Sequence, residues 1–130
     1  MRAKKKSLNY ITLMIFAPVL ILAGGAGFLI PGDKSLTSGA MPYNIFHLIS
    51  GSIGLAILLT RREKWIIGFN IVFGLIDLYQ ALASYMHLFP EKLFRWTRVD
   101  DILHIILGLM LVGIGCYGAF NRRQGKSHLP

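Results

Sequence analysis

The chain has 130 residues, which bounds it to a single domain. Hydrophobic residues make up 54% of the sequence and charged residues only 15%, which is too little polar surface for a soluble domain. The formal net charge of +8 would suggest nucleic-acid binding in a soluble protein. Here the lysines and arginines mostly flank long apolar segments, as in membrane proteins. We therefore expect contact with the lipid bilayer and no nucleic-acid partner.

Four apolar segments are long enough to cross a bilayer, since about 20 helical residues span its hydrocarbon core. They cover residues of about 8–30, 44–60, 65–88 and 101–120. A polar loop, Pro31–Tyr43, joins the first two segments, and a tight charged turn, Arg61–Lys64, joins the next pair. The last connection, Pro90–Asp100, alternates charged and apolar residues, which predicts a short amphipathic segment anchored at the membrane surface.

The distribution of positive charge predicts the orientation. An even number of spans places both termini on one side of the membrane. That side carries ten of the 14 lysines and arginines, and the opposite side carries four. The positive-inside rule therefore predicts that both termini are cytoplasmic. We expect a multi-pass protein of the bacterial inner (plasma) membrane.

One stretch occurs twice. The octapeptide Asn44–Gly51 is echoed 57 residues later by Asp101–Gly108, with Ile, His, Ile and Gly identical in register. The chain has only four histidines, so a histidine in register is informative. The copies open the second and fourth spans, so the repeated unit is a helical hairpin. This predicts an all-α, four-helix transmembrane bundle built from two repeated hairpins related by a pseudo-twofold axis along the membrane normal.

These motifs carry a family resemblance. The pattern NxxHxxxGxxGL at Asn44–Leu55 and the pattern DxLHxxLG at Asp101–Gly108 stand on the second and fourth of four spans. In this the chain resembles small bacterial membrane proteins of the domain-of-unknown-function family four-three-eight-three. The resemblance implies four helices with a paired-histidine signature, and it implies no activity.

His47 and His104 are the first candidate site residues. The pseudo-twofold axis would place them at one depth, near the end of the bundle that carries the two long loops. Imidazoles from two helices can hold a haem b iron from both faces or the magnesium of chlorophyll, and with His87 or Asp101 they could hold a transition metal. The alternative is structural: each histidine bonds the neighbouring Asn44 or Asp101, or an opposite helix. No metal site is predicted from this pattern alone.

Asp77 is the second candidate because it lies near the middle of the third span. A carboxyl group at that depth costs at least about 2.5–3.5 kcal/mol on insertion scales, which makes function the default hypothesis. It could serve as the proton site of a small proton-linked transporter module. The structural alternative is a carboxyl group bonded to Gln80, to Tyr79 or to another helix.

The preferred function is non-enzymatic. The sequence contains no nucleophile constellation, P-loop or dinucleotide fingerprint. Several glycine- and serine-rich helix faces favour close packing with other integral membrane subunits. We therefore predict a small accessory or scaffold subunit of a larger inner-membrane complex. The first alternative is a haem- or chlorophyll-binding protein with paired axial histidines, and the second is the transporter module.

Overall fold

The computed structural model describes residues 6–31 and 34–127, with side chains described as far as residue 124. Its helices are α1 (Leu8–Leu29), α2 (Met41–Leu59), α3 (Glu63–Met86), α4 (Glu91–Phe94) and α5 (Arg98–Ser127). All of them except α4 are long and apolar enough to cross a membrane. The predicted all-α class with four spans is therefore confirmed. Residues 1–5, whose Arg2, Lys4 and Lys5 count toward the predicted orientation, lie outside the described residues.

The second span begins earlier than predicted. The repeat placed Asn44 at the start of this span, but α2 begins at Met41 and Ala40 occupies the cap position. Pro42 fits the first turn because backbone N–H groups there have no helical acceptor. Asn44 instead lies buried within the helix, where its side-chain amide donates to the carbonyl of Gly39 at 3.1 Å. The glycine of α1 opposite it, Gly27, leaves the space that the Asn44 side chain fills.

The last span also begins earlier, at Arg98 instead of Asp101. Thr97 and Asp100 form a capping box, in which each side chain accepts the backbone N–H of the other residue. The N–H of Asp100 lies 3.2 Å from Oγ1 of Thr97, and the N–H of Thr97 lies 2.8 Å from Oδ2 of Asp100. The second copy of the repeat, Asp101–Gly108, therefore begins inside the helix, and Thr97 occupies the cap position. The helix continues to Ser127, beyond the predicted end near Phe120.

The helices pack most extensively as two antiparallel pairs, α1 with α2 and α3 with α5. In the first pair, a Cβ atom on Gly51 would lie 2.9 Å from the carbonyl oxygen of Ala17. In the second pair, a Cβ atom on Gly108 would lie 2.9 Å from the carbonyl oxygen of Gly74. These two contacts fall at positions 57 residues apart on both helices. The pseudo-twofold symmetry of the complete hairpins stays a prediction.

Aromatic rings join the two hairpins in the middle of the bundle. Phe73 of α3 contacts Phe16 of α1 edge-on, with ring centroids 5.5 Å apart. It also stacks on Phe46 of α2 at 6.0 Å and on Phe69 at 5.5 Å. Rings packed in this way contribute to stability beyond the area that they bury. We call the end of the bundle with the residue 31–40 connection and α4 the loop end, and the opposite end the termini end.

A polar contact at the termini end also links the hairpins. The side-chain amide of Asn70 in α3 donates to Oδ1 of Asn9 in α1 at 2.9 Å. Asn9 in turn donates to the carbonyl of Ile114 in α5 at 3.1 Å. Gly118 of α5 leaves the space for the Asn9 amide. Three helices therefore share one buried hydrogen-bonded contact, which is a common way to hold membrane helices together.

Candidate functional site

A cavity of about 230 Å³ lies at the loop end between α1, α2 and the start of α5. Its apolar wall comes from α1 and α5, and its polar lining comes from both hairpins. The apolar wall is formed by Phe16, Val19, Leu20, Ala23, Ala26, Leu103 and Leu107. Val19 and Leu103 are 50% and 41% exposed on the apolar surface of the bundle. The cavity is therefore accessible from the side of the bundle that would face lipid.

Both predicted histidines line this cavity, and Tyr43 connects them. The hydroxyl of Tyr43 and Nε2 of His104 share a hydrogen bond of 2.7 Å. The ring of Tyr43 also packs against that of His47, with centroids 4.2 Å apart. The structure thus brings His47 and His104 to the lining of one cavity, with the buried ring of Tyr43 against both.

His104 is the most deeply buried of the described histidines and tryptophans. Its side chain is 5% exposed, and Nδ1 has no hydrogen-bond partner among the described residues. Nε2 is already paired with the Tyr43 hydroxyl. A buried nitrogen without a partner is costly unless a further group bonds to it. Among the ring nitrogens of the site, Nδ1 of His104 is thus buried without a partner in the described structure.

Asp100 holds in place the roof of the cavity, by which we mean the lining residues of the α1–α2 connection, Ser35, Thr37 and Ser38. Its Oδ2 accepts the backbone N–H of Ser38 at 2.7 Å and that of Thr97 at 2.8 Å. The hydroxyl of Thr97 donates to the carbonyl of Leu36 at 2.8 Å. The connection between α1 and α2 is thereby held onto the start of α5. The neighbouring Asp101 is half-buried, and its Oδ1 has no partner within the described parts of the chain.

Asp77 is buried in α3 and forms part of a chain of polar contacts that leads toward the same site. Its Oδ1 accepts from the side-chain amide of Gln80 at 3.3 Å, and Gln80 accepts from the indole N–H of Trp96 at 3.1 Å. The ring of Trp96 meets that of His104 edge-on at 6.2 Å. The hydrogen bond to Gln80 supports the structural reading of Asp77. Its other oxygen is buried without a partner in the described structure, and the transporter hypothesis stays a prediction.

His87 lies outside this site. It ends α3 in the left-handed conformation, with φ 58°, and is exposed. Its Nδ1 lies 2.9 Å from the carboxylate of Glu91, the first residue of α4. His87 therefore organises the α3–α4 turn and does not join His47 and His104. Across the described ranges, no group of three or more histidine, cysteine, aspartate or glutamate side chains could hold a metal ion.

Sequence reasoning overlooked Tyr43 and expected Trp96 to lie in the membrane interface. Tyr43 directly precedes the first repeat and corresponds to Asp100 before the second, so the repeat itself gives no sign of it. Trp96 is half-buried and turned toward Gln80 and His104. The amino-acid composition of the loop end could have indicated the site. This end is rich in tyrosine, tryptophan and histidine, whose side chains combine an apolar surface with a hydrogen-bonding group.

No protein-family model, curated protein or solved structure matches this chain. The resemblance to domain-of-unknown-function family four-three-eight-three accordingly stays a prediction that rests on the two quoted motifs.

Proposed function

We propose that this membrane protein binds an uncharged lipophilic molecule, whose hydrogen-bonding head reaches His104 and whose apolar part lies between α1 and α5. The observation that carries the proposal is the polar group Tyr43–His104 beneath an apolar cavity at the lipid-facing surface. Binding sites for small lipophiles combine a mostly apolar wall with a few fixed polar groups.

The charges around the cavity favour an uncharged head. Its lining contains no lysine or arginine, so an anion would be buried without a counter-charge. The one carboxylate in the lining, Asp100, already accepts the N–H groups of Ser38 and Thr97. A buried cation would therefore compete with the hydrogen bonds that hold the roof. A hydroxyl or carbonyl head needs only one partner, which Nδ1 of His104 provides.

The geometry favours a small ligand over haem or chlorophyll. A cavity of about 230 Å³ is below the range of about 300–1,000 Å³ typical of drug-sized ligands. An axial bond from Nε2 of His104 would also have to break its hydrogen bond to Tyr43. The haem and chlorophyll hypothesis predicts an absorption band that disappears in His47→Ala and His104→Ala, so the spectrum of the purified protein tests it.

Photolabelling tests the proposed head group. Three probes share one diazirine-bearing dodecyl chain and differ in their head, which is a hydroxyl, a carboxylate or a trimethylammonium group. In phosphatidylcholine vesicles, we expect the hydroxyl probe to label the full-length protein about tenfold more than either charged probe. His104→Ala should lower that labelling about tenfold, because the head loses its hydrogen bond in a water-poor site.

Two matched controls accompany these probes. His87→Ala removes a histidine that lies outside the cavity and should leave labelling unchanged. Ala23→Leu fills the cavity from α1 without touching the polar group and should abolish the preference, whereas Ala56→Leu on the exposed face of α2 should not. Equal labelling of all variants, or equal labelling by the three probes, would refute the proposal.

A role as an accessory subunit is the second proposal, and open glycines support it. At Gly25, Gly68 and Gly113 an added Cβ atom would meet nothing within 4 Å, so these small residues are not used for packing within the chain. They lie on α1, α3 and α5, where a Cβ atom added to any other described glycine would come within 3.0 Å of a neighbouring helix. Small residues in lipid-facing helices allow another helix to approach.

A pull-down from native membranes in mild detergent tests this second role. We expect an integral membrane partner to be recovered with the wild-type protein and lost with Gly113→Leu. Ala56→Leu adds the same side chain to a different exposed face and should retain the partner. A stable monomer recovered without any partner would count against a role as a subunit.

A further inference from the structure

A second cavity, of about 420 Å³, lies at the termini end between α3 and α5. It is at the opposite end of the bundle from Tyr43 and His104, and it shares no lining residue with their cavity. Both helices reach the ends of their apolar segments here. The cavity therefore lies where a bilayer changes from hydrocarbon to polar headgroups.

Three cations surround this cavity. Lys64 comes from the first turn of α3, and Arg122 and Arg123 come from the last turns of α5. All three side chains are exposed, and no ion pair or side-chain hydrogen bond joins them to another described residue. The nearest acid by position, Glu63, lines a neighbouring cavity with Arg122 but does not pair with it. Among the described residues, the three positive charges therefore have no partner anion.

The opposite wall of the cavity is apolar. Ile67 of α3 and Ala119 and Phe120 of α5 line it, together with the exposed Cys116. An inorganic anion or a water-soluble phosphate would gain nothing from this wall. A molecule with a negative head and a hydrocarbon chain would use both parts at once, since basic pockets between membrane helices suit acidic lipid headgroups.

We propose that this groove binds one anionic phospholipid of the surrounding leaflet. Lys64, Arg122 and Arg123 contact its phosphate and headgroup, and the first carbons of an acyl chain lie against Ile67 and Phe120. This site is independent of the ligand proposed for the loop end. The two cavities have no lining residue in common, and only the one at the termini end is lined by lysine and arginine.

Native mass spectrometry of the full-length protein in mild detergent, titrated with phosphatidylglycerol or phosphatidylcholine, tests this site. We expect one tightly retained phosphatidylglycerol and no comparable retention of phosphatidylcholine. The double variant Arg122→Gln with Arg123→Gln should bind phosphatidylglycerol about twenty-five-fold more weakly, from a factor of about five for each cation. Excess inorganic phosphate should not displace the lipid, because phosphate cannot use the apolar wall.

The matched control is Arg61→Gln with Arg62→Gln, which removes two charges from the same end of the bundle outside the groove. Its binding should stay within about twofold of wild type, since exposed charges at a distance are screened by salt. Should the α5 variant fail to fold, Lys64→Gln alone is expected to weaken binding about fivefold. Equal losses in the two double variants, or displacement by phosphate alone, would overturn the proposal.

Discussion

Gly108→Ala is expected to lower the free energy of unfolding by about 1–3 kcal/mol, the usual cost of adding volume to a packed contact. The added Cβ atom would lie 2.9 Å from the carbonyl oxygen of Gly74 and 2.7 Å from the side chain of Leu78. The side chain can move, but the backbone of α3 cannot move without separating the helices over several residues. The helix pair α3–α5 would therefore loosen along its length.

Gly113→Ala in the same helix is the matched control, because its Cβ atom meets nothing within 4 Å. Alanine favours a helix over glycine by about 1 kcal/mol in peptides, so this variant should be as stable as wild type or slightly more stable. Unfolding of both variants by sodium dodecyl sulfate from mild micelles, followed by circular dichroism, gives the comparison. Similar stability of the two variants would show that α3 and α5 do not meet at Gly108.

Asp100→Ala is expected to cost about 2–4 kcal/mol, because it leaves the N–H groups of Ser38 and Thr97 without their acceptor. An unsatisfied buried donor costs about 1–3 kcal/mol, and two donors lose their partner here. The same change removes the capping box of α5 and releases the connection between α1 and α2. The effect therefore combines a weakened helix start with a loosened roof of the cavity.

Asp101→Ala distinguishes this network from a general effect of negative charge at the start of α5. Asp101 lies one residue further on, and no hydrogen bond to its side chain is seen in the described structure. Its loss should change stability by less than about 1 kcal/mol, as for most substitutions away from a specific contact. A larger loss from Asp101→Ala than from Asp100→Ala, in the same unfolding experiment, would contradict the observed capping box.

The four spans could be predicted from the sequence because blocks of charged residues separate the long apolar segments. This pattern can be recognised without knowing how the helices pack. Sequence reasoning predicted that His47 and His104 lie at one depth because the 57-residue repeat puts them at corresponding helix starts. It missed the exact starts of α2 and α5. Asn44 has the chemistry of a cap but lies inside α2 and donates to Gly39 before the helix, and Thr97, not Asp101, stands at the cap of α5.

The partners of the histidines could not be read from the sequence. Tyr43 and His104 are 61 residues apart, and their hydrogen bond depends on how the two hairpins pack together. The contact of Trp96 with Gln80 depends in the same way on how the segment after α4 folds back onto α3. Hydropathy places residues at a depth in the bilayer, but it does not determine which helix faces which.

The most direct measurement locates the carbon atoms to which the hydroxyl-headed diazirine probe attaches, by mass spectrometry of peptides from the labelled protein. If the cavity binds an uncharged lipophile, the label should concentrate on its wall, at Ala23 in α1 and at Leu103 and Leu107 in α5. Label spread evenly over lipid-facing residues outside the cavity, such as Ile53 and Val72, would show only that the probe dissolves in the bilayer, and would contradict a ligand site at His104.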